Sequence, residues 1–449
     1  MAKGTALPRT LQHPARLVPL AFLLAAALGT GLLMLPAARA GEGAAPFMAA
    51  LFTAVSAVCV TGLTVVDTAT YWSGFGQGVV LALIQVGGFG IMSGATLLGL
   101  LVSRRLRLST RRVAQAETRC VELGDVAAVL RLVLLVTVAA ELATAAALAL
   151  RLRLAYGEPW AEAAWNGVFL SVAAFCNAGF STYSDNVVGF ALDPFVLGPL
   201  MAAVVLGGVG FPVLHDVRRN PRRPARWSLH TKLTLLGTGL LLLGGTAAFL
   251  AYEWGNPATL GPFGWGGKLL GAAFHSVQTR TAGFNALDIG QMRTESLAVG
   301  CVLMMIGGGS ASTAGGIKVT TFLMLGSAVW AEVRGEPDVA AFGRSIPREA
   351  QRQALAVVLM AVGLVAAATL LLLTVSEAEL DDALFETVSA FATVGLSTGI
   401  TAGLPPAGHA ILVALMFLGR VGTVTVATGL ALQSRQRPYR YPEERPIVG

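Results

Sequence analysis

The chain has 449 residues, of which 55% are hydrophobic and only 13% charged, with a mean hydropathy of +0.68; a soluble domain carries about 25% charged residues. A nucleic-acid-binding role is excluded despite the net charge of +7, because the basic residues sit in short loops between apolar runs, as the positive-inside rule places them. Cys59, Cys120, Cys176 and Cys301 form no C-x-x-C pair, which excludes a zinc or disulfide scaffold.

Apolar runs long enough to cross a hydrocarbon core of about 30 Å predict eight spans, at 17–38, 79–102, 126–150, 195–215, 229–252, 295–330, 353–375 and 409–432. The first has two readings. Its basic flank, apolar stretch and Ala38-Arg39-Ala40 have the layout of a secretory signal with its cleavage site. The stretch is long for a signal and sits where a first helix is needed, so it is read as a retained span.

Between each odd and even span lies a shorter apolar element, near 44–60, 159–175, 266–279 and 380–392. These are too short to cross and read as re-entrant half-helices. Each runs into a glycine flanked by small and hydroxylated residues: Val60-Thr61-Gly62, Asn177-Ala178-Gly179, Thr281-Ala282-Gly283 and Thr393-Val394-Gly395. The glycines recur at intervals of roughly 110 residues. The expected fold is therefore an all-α membrane protein of four pseudo-symmetric helix–pore helix–filter loop–helix repeats around one pore. The repeats are 1–103, 104–218, 219–334 and 335–433, followed by a tail over 434–449. Phe52, Phe169 and Phe385 precede their glycines at one spacing, and Phe274 at a spacing one residue shorter, so the symmetry is expected to be imperfect.

Four glycine loops on one axis predict a ring of main-chain carbonyls that replaces the hydration shell of a potassium ion, with K⁺ at Gly62, Gly179, Gly283 and Gly395. The fourth loop matches the start of the T-V-G-Y-G potassium-channel sequence. The competing reading of any single glycine is a helix cap.

Span six is interrupted by Gly307-Gly308-Gly309-Ser310-Ala311-Ser312-Thr313-Ala314-Gly315-Gly316, ending in Ile317-Lys318. So many glycines do not hold a helix. Irregular backbone at membrane depth is tolerated only against protein or water, and the segment is read as a gating loop below the filter. A helix kink is the simpler alternative. A phosphate-binding loop is excluded, since Ile317 separates Gly316 from Lys318.

Arg420, mid-way along span eight, is costly there and must face the pore or an acid. Glu141 in span three is the candidate partner. The role expected of Arg420 is a pore charge under the filter that engages the gating loop. Asp67, Asp185, Asn186 and Asp288 lie just outside the glycine loops and either gather cations or are solvated loop residues. His215, His230, His275 and His409 are scattered and read as structural.

Basic residues alternate between loops. Lys3, Arg9 and Arg16 precede span one; Arg104, Arg105, Arg107, Arg111, Arg112 and Arg119 follow span two. Arg218, Arg219, Arg222, Arg223, Arg226 and Lys232 follow span four; Arg334, Arg344, Arg348 and Arg352 follow span six; Arg435, Arg437, Arg440 and Arg445 follow span eight. That side is expected to be cytoplasmic, with both termini there, in a multi-pass plasma (inner) membrane protein.

The stretch Ser56-Ala57-Val58-Cys59-Val60-Thr61-Gly62-Leu63-Thr64-Val65-Val66-Asp67-Thr68 and the C-terminal Tyr439-Arg440-Tyr441-Pro442-Glu443-Glu444-Arg445 resemble the membrane subunits of Ktr systems, within the Trk/Ktr/HKT superfamily of potassium transporters. The likeness covers nearly the whole chain, and the compact length favours Ktr over Trk. It implies a K⁺-translocating subunit, potassium-preferring because Gly62 stands where some relatives carry serine, with a gating loop in the third repeat and an arginine in the last span. It also implies a homodimer and a cytosolic KtrA-like regulatory ring that binds ATP/ADP or NAD(H). The transported ion is potassium, with sodium as a coupling alternative, and no organic cofactor is expected in the chain. The rivals are a Trk-type or sodium-coupled symporter and an intramembrane hydrolase using Ser310 or Ser312, the latter without a G-x-S-x-G elbow.

Overall fold

The computed structural model describes residues 14–105 and 126–422. Lys3, Arg9, Arg107, Arg111, Arg112, Arg119, Cys120, the second half of span eight and the whole C-terminal tail, with Arg435, Arg437, Arg440 and Arg445, lie outside the described residues.

The described chain is helical apart from a two-residue antiparallel hairpin, β1 (Ala340–Ala341) with β2 (Arg344–Ser345). The principal helices are α1 (Pro14–Leu33), α2 (Phe47–Val58), α3 (Gly74–Arg105), α4 (Val126–Tyr156), α5 (Trp160–Phe175), α6 (Pro194–Val209) and α7 (Phe211–Arg219). They continue as α8 (Leu229–Glu253), α9 (Trp265–Gln278), α10 (Thr294–Met305), α11 (Val319–Arg334), α12 (Arg348–Val375), α13 (Leu380–Ala392) and α14 (Pro406–Phe417). Among the described residues, three helices are long and apolar enough to cross a membrane: Arg131–Tyr156, Leu229–Glu253 and Arg348–Val375. The pair α6 and α7 forms a fourth candidate span that is bent by 94°. The other expected spans fall on α1, α3, the interrupted pair α10 and α11, and α14.

Helix starts follow local chemistry. Asp193 accepts the Phe195 N–H at 2.9 Å ahead of Pro194 at the start of α6, the usual pairing of an acidic cap with an N-terminal proline. Ser228 caps α8 through the Thr231 N–H. Buried Glu253, at the end of α8, accepts the Arg293 N–H at 2.9 Å and the Ser296 hydroxyl, tying that end to the start of α10.

The short helices α2, α5, α9 and α13 each end at a glycine loop. Each pairs with the helix before it: α1 with α2, α4 with α5, α8 with α9, α12 with α13. The helix after each loop packs on the next short helix, α3 on α5, α6 on α9, α10 on α13 and α14 back on α2. The order closes on itself, so the four short helices surround one centre. Phe52, Phe169, Phe274 and Phe385 are all fully buried in it. Leucines and valines such as Leu24, Leu243 and Leu359 remain exposed on the outside, the surface that hydrocarbon covers in a bilayer.

One expected span needs correction. The run 195–215 was expected to be continuous, but the helix breaks at Gly210, whose φ of +88° and ψ of 152° are not helical. Pro212 follows at the second position of α7 and has no N–H to carry the helix through. The break has a partner: a β-carbon on Gly210 would lie 2.7 Å from the Ser310 carbonyl oxygen. The bend makes room for the interrupted segment of span six.

Candidate functional site

The four glycine loops share one backbone conformation. Gly62, Gly179, Gly283 and Gly395 have φ of +98°, +66°, +81° and +95°. Two residues earlier, Val60, Asn177, Thr281 and Thr393 also have positive φ, of 55°, 60°, 66° and 51°. That region is rare for any side chain and exceptional for β-branched ones. Its presence at three β-branched positions marks backbone strain held by the surroundings. Thr61, Ala178, Ala282 and Val394, between the two, keep negative φ. Alternating hand gathers successive N–H groups on one side of the chain and carbonyls on the other.

The surrounding structure holds this shape through hydrogen bonds. The N–H groups of Thr61, Ala178 and Val394 donate to Ser56, Ala173 and Ser389 carbonyls at 2.8, 2.7 and 2.9 Å. In the third loop, Ala282 N–H instead donates to the Gln278 carbonyl at 3.0 Å, one residue closer in sequence, matching the displaced Phe274. The Ser56 and Ser389 hydroxyls accept the Gly62 and Gly395 N–H groups, each at 3.1 Å. Asn186 donates to the Gly179 carbonyl at 3.1 Å.

The loops meet. A β-carbon on Gly62 would overlap the Ala178 carbonyl oxygen; on Gly179, that of Ala282; on Gly283, that of Val394; on Gly395, that of Thr61. Each residue before a glycine thus places its carbonyl against the glycine of the neighbouring loop, and the circuit closes after four steps. On one side lies a vestibule of about 530 Å³ lined by Gly62, Gly179, Gly395, Asp67, Asp185 and Asp288 among others. The acids there serve as turn caps too: Asp67 accepts from Ala69 N–H and the Ser184 hydroxyl, Asp185 from Gly189 N–H and Asp288 from Gly290 N–H. Burial pushes the Asp67 carboxyl upward, but hydrogen bonds from Ser184, Thr70 and Ala69 outweigh it and hold Asp67 below the usual carboxylate range. It is ionised at every physiological pH.

On the other side lies the segment between α10 and α11. Ile306 and Ile317 pair as a parallel bridge, with Gly307 N–H donating to Ile317 at 2.8 Å and Ile317 N–H to Met305 at 3.1 Å. The segment is thus a loop with its two legs joined at the root. Its outer part docks on the bent span, Gly309 N–H donating to the Gly208 carbonyl at 2.8 Å and Thr313 N–H to that of Gly207 at 3.3 Å. Its tip reaches the glycine loops. The Thr313 hydroxyl lies 3.2 Å from the Phe175 carbonyl and 3.2 Å from the Asn177 amide. Gly315 sits so close to Ala392 and Thr393 that a β-carbon would overlap both. Ser312 donates to the Gly309 carbonyl at 2.6 Å and Ser310 lies 3.3 Å from the Thr320 hydroxyl, so neither serine meets a histidine among these bonds.

Two buried arginines and the half-buried Lys318 reach this loop. Arg420, 1% exposed in the π-helical turn Leu418–Gly422, donates to the Thr313 carbonyl. Lys318 donates to the Ala314 carbonyl. Arg280, 6% exposed, donates to the Gly307 carbonyl at 2.7 Å. The candidate pairing of Arg420 with Glu141 is not what the structure shows. Glu141 accepts from Gln85 at 3.3 Å, and among the described residues no carboxylate lies within 4.0 Å of Arg420. Carbonyls of the loop do the work expected of an acid. Sequence reasoning passed over Arg280 as a side chain; its signal was a charge inside an otherwise uncharged glycine loop. Of the histidines, His275 lies edge-on to Phe249 with centroids 4.4 Å apart and His409 lies 2.8 Å from the Thr401 carbonyl.

The chain matches the family model "TrkH: Cation transport protein" over residues 7–437. It is 38% identical over 436 residues to Ktr system potassium uptake protein B of Bacillus subtilis (strain 168), covering 97% of each chain. It is 35% identical over 444 residues to the potassium/sodium uptake protein NtpJ of Enterococcus hirae, again covering 97% of each. The fold is similar to the solved potassium transporter TrkH from Vibrio parahaemolyticus, with a TM-score of 0.73 at 15% identity, over 95% of this chain and 86% of that one. A family model matched over residues 7–437, with relatives above 30% identity over 97% of each chain, makes this chain a member of the TrkH family of cation transport proteins.

Proposed function

We propose that this chain is the potassium-translocating membrane subunit of a Ktr-type uptake system. The observation that carries the proposal is the closed circuit of four strained glycine loops, each placing a carbonyl against the next. Carbonyls so arranged replace an ion's hydration shell. Val60, Thr61 and Gly62, with Asn177–Gly179, Thr281–Gly283 and Thr393–Gly395, form the selectivity filter, and potassium binds at the four glycines. The vestibule with its acids faces outward and concentrates cations. Residues 307–316 are the gate, and Arg420 is the fixed charge beneath the filter that steadies it. The four repeats, 1–103, 104–218, 219–334 and 335–433, supply eight spans in all, with both termini cytoplasmic in the inner membrane. The subunit works as a homodimer under a cytosolic nucleotide-binding ring that acts on the gate. Sodium is the coupling alternative, supported by the potassium/sodium name of one relative.

The test is ion flux into vesicles holding the purified protein. Uptake of K⁺ well above Na⁺, raised when a ring subunit with its nucleotide is added, is the expected outcome. Equal K⁺ and Na⁺ uptake removes the filter assignment, and K⁺ uptake that requires external Na⁺ converts the reading to a sodium-coupled symporter.

A further inference from the structure

We infer that Arg280 is a positioning residue that ties the third glycine loop to the root of the intramembrane loop, so that opening the gate means breaking this tie. The inference rests on the reading of 307–316 as the gate. Arg280 immediately precedes Thr281, Ala282 and Gly283, so its backbone is part of the glycine loop while its side chain leaves it. The guanidinium is buried and its Nη2 donates to the Gly307 carbonyl at 2.7 Å. Its Nε and Nη1 have no hydrogen-bond partner, and among the described residues no carboxylate lies within 4.0 Å. The cavity beside it, lined by Val204, Gly208, Thr238, Val277 and Gly308, measures about 20 Å³, room for roughly one water. Gly307 is therefore the sole protein acceptor of a buried cation among the described residues.

The place of contact matters as much as the contact. Gly307 is the first residue beyond the Met305–Ile306 end of α10 and one of the two legs joined through Ile317. Movement of the loop away from the filter pulls this carbonyl off Arg280. What remains is a desolvated, unpaired guanidinium, which is far costlier than a neutral side chain in the same place. The penalty falls on the open form only, so Arg280 biases the gate toward closure. The same residue is built into the filter loop, so the tie runs from the main chain ahead of Gly283 to the root of the gate. The Thr313–Asn177 contact is a second, independent link between the loop and another glycine loop.

The experiment is K⁺ and Na⁺ flux into vesicles for the wild type, Arg280→Met, Arg280→Gln, a deletion of 308–315, and the deletion combined with Arg280→Met. Arg280→Met is expected to raise maximal K⁺ flux about tenfold, the weight of one charged hydrogen bond, while the K⁺/Na⁺ ratio stays within about twofold. Arg280→Gln, which keeps a donor without the charge, is expected to give a smaller rise in the same direction. On the deletion background Arg280→Met is expected to add nothing. Unchanged or lower flux in a folded variant overturns the tie, as does a rise that adds to the deletion. A rise accompanied by lost selectivity overturns it too, assigning Arg280 to the filter alone. If Arg280→Met is not recovered from membranes, Arg280→Gln carries the decision: wild-type flux overturns the proposal. A deletion that raises flux while the arginine variants do not leaves the gate standing without this tie; a deletion that fails to raise flux removes both.

Discussion

At Gly62 the chain has no room for a side chain and no freedom to make some. Its φ is +98°, and a β-carbon there would run into the Ala178 carbonyl of the neighbouring loop. Relief requires either a rotation of Gly62, which breaks its N–H bond to the Ser56 hydroxyl, or a shift of Ala178, which moves a carbonyl of the ring. Strain of this kind costs about 1–3 kcal/mol at a single residue, small against a folded membrane protein but comparable with the difference that separates potassium from sodium. Gly62→Ser is therefore expected to yield a folded protein whose K⁺-over-Na⁺ flux ratio drops by about tenfold. Competition flux in vesicles reads this directly, and a ratio equal to wild type counts against the ring of carbonyls. Val60, Asn177, Thr281 and Thr393 carry the same lesson from the other side: side chains sit in backbone conformations they resist, because the short helix ahead of each loop and the loop beside it hold the chain there.

At the level of elements, the loop between α10 and α11 is held by bonds that are individually replaceable. Gly309 and Thr313 lean on carbonyls freed by the bend at Gly210, and Arg420, Lys318 and Arg280 hold three carbonyls of the segment. Removing 308–315 takes away Thr313 and Gly315, the residues that touch the glycine loops, while leaving Gly307 and Gly316 to rejoin the helix. On the proposed reading of 307–316 as the gate under a regulatory ring, K⁺ flux is expected to rise several-fold with weakened dependence on that ring, since the segment that blocks the path is gone. Lower flux in a protein that still folds removes the gate. How much of this was legible beforehand differs by element. The short helices and the interrupted span were visible because apolar length and glycine density are local properties. The bend at Gly210 was not, because 207–212 reads as an apolar run and the cause, the Ser310 and Ala311 carbonyls, lies in a different span. The partner of Arg420 was illegible for a related reason: sequence marks acids such as Glu141, whereas a main-chain carbonyl such as that of Thr313 leaves no mark. Arg280 stood in plain view just ahead of Thr281-Ala282-Gly283, but its direction is a property of the fold.

Across the whole molecule, the two faces of the glycine circuit differ in charge. Asp67, Asp185 and Asp288 line the vestibule on one side, and on the other the chain places Arg218 and Arg219 at the end of the bent span and Arg222, Arg223 and Arg226 just after it. On the proposed orientation, with the Lys and Arg of short loops on the cytoplasmic side, the vestibule faces outward, and a cation entering meets acids first and buried guanidiniums last. Asp67 strengthens the asymmetry, because its depressed pKa keeps the charge in place until the pH falls through that lowered value, below the usual carboxylate range. Orientation is open to a direct check. Ser184 lines the vestibule and Arg222 sits exposed in the basic loop, while Cys59 and Cys176 are buried. In intact cells a membrane-impermeant thiol reagent is expected to label Ser184→Cys and to spare Arg222→Cys, with the pattern reversed in inside-out vesicles. Labelling of Arg222→Cys from outside would invert the molecule, turning the acids inward, and the account of the vestibule as a cation-gathering entrance would have to be abandoned while the ring of glycines remained.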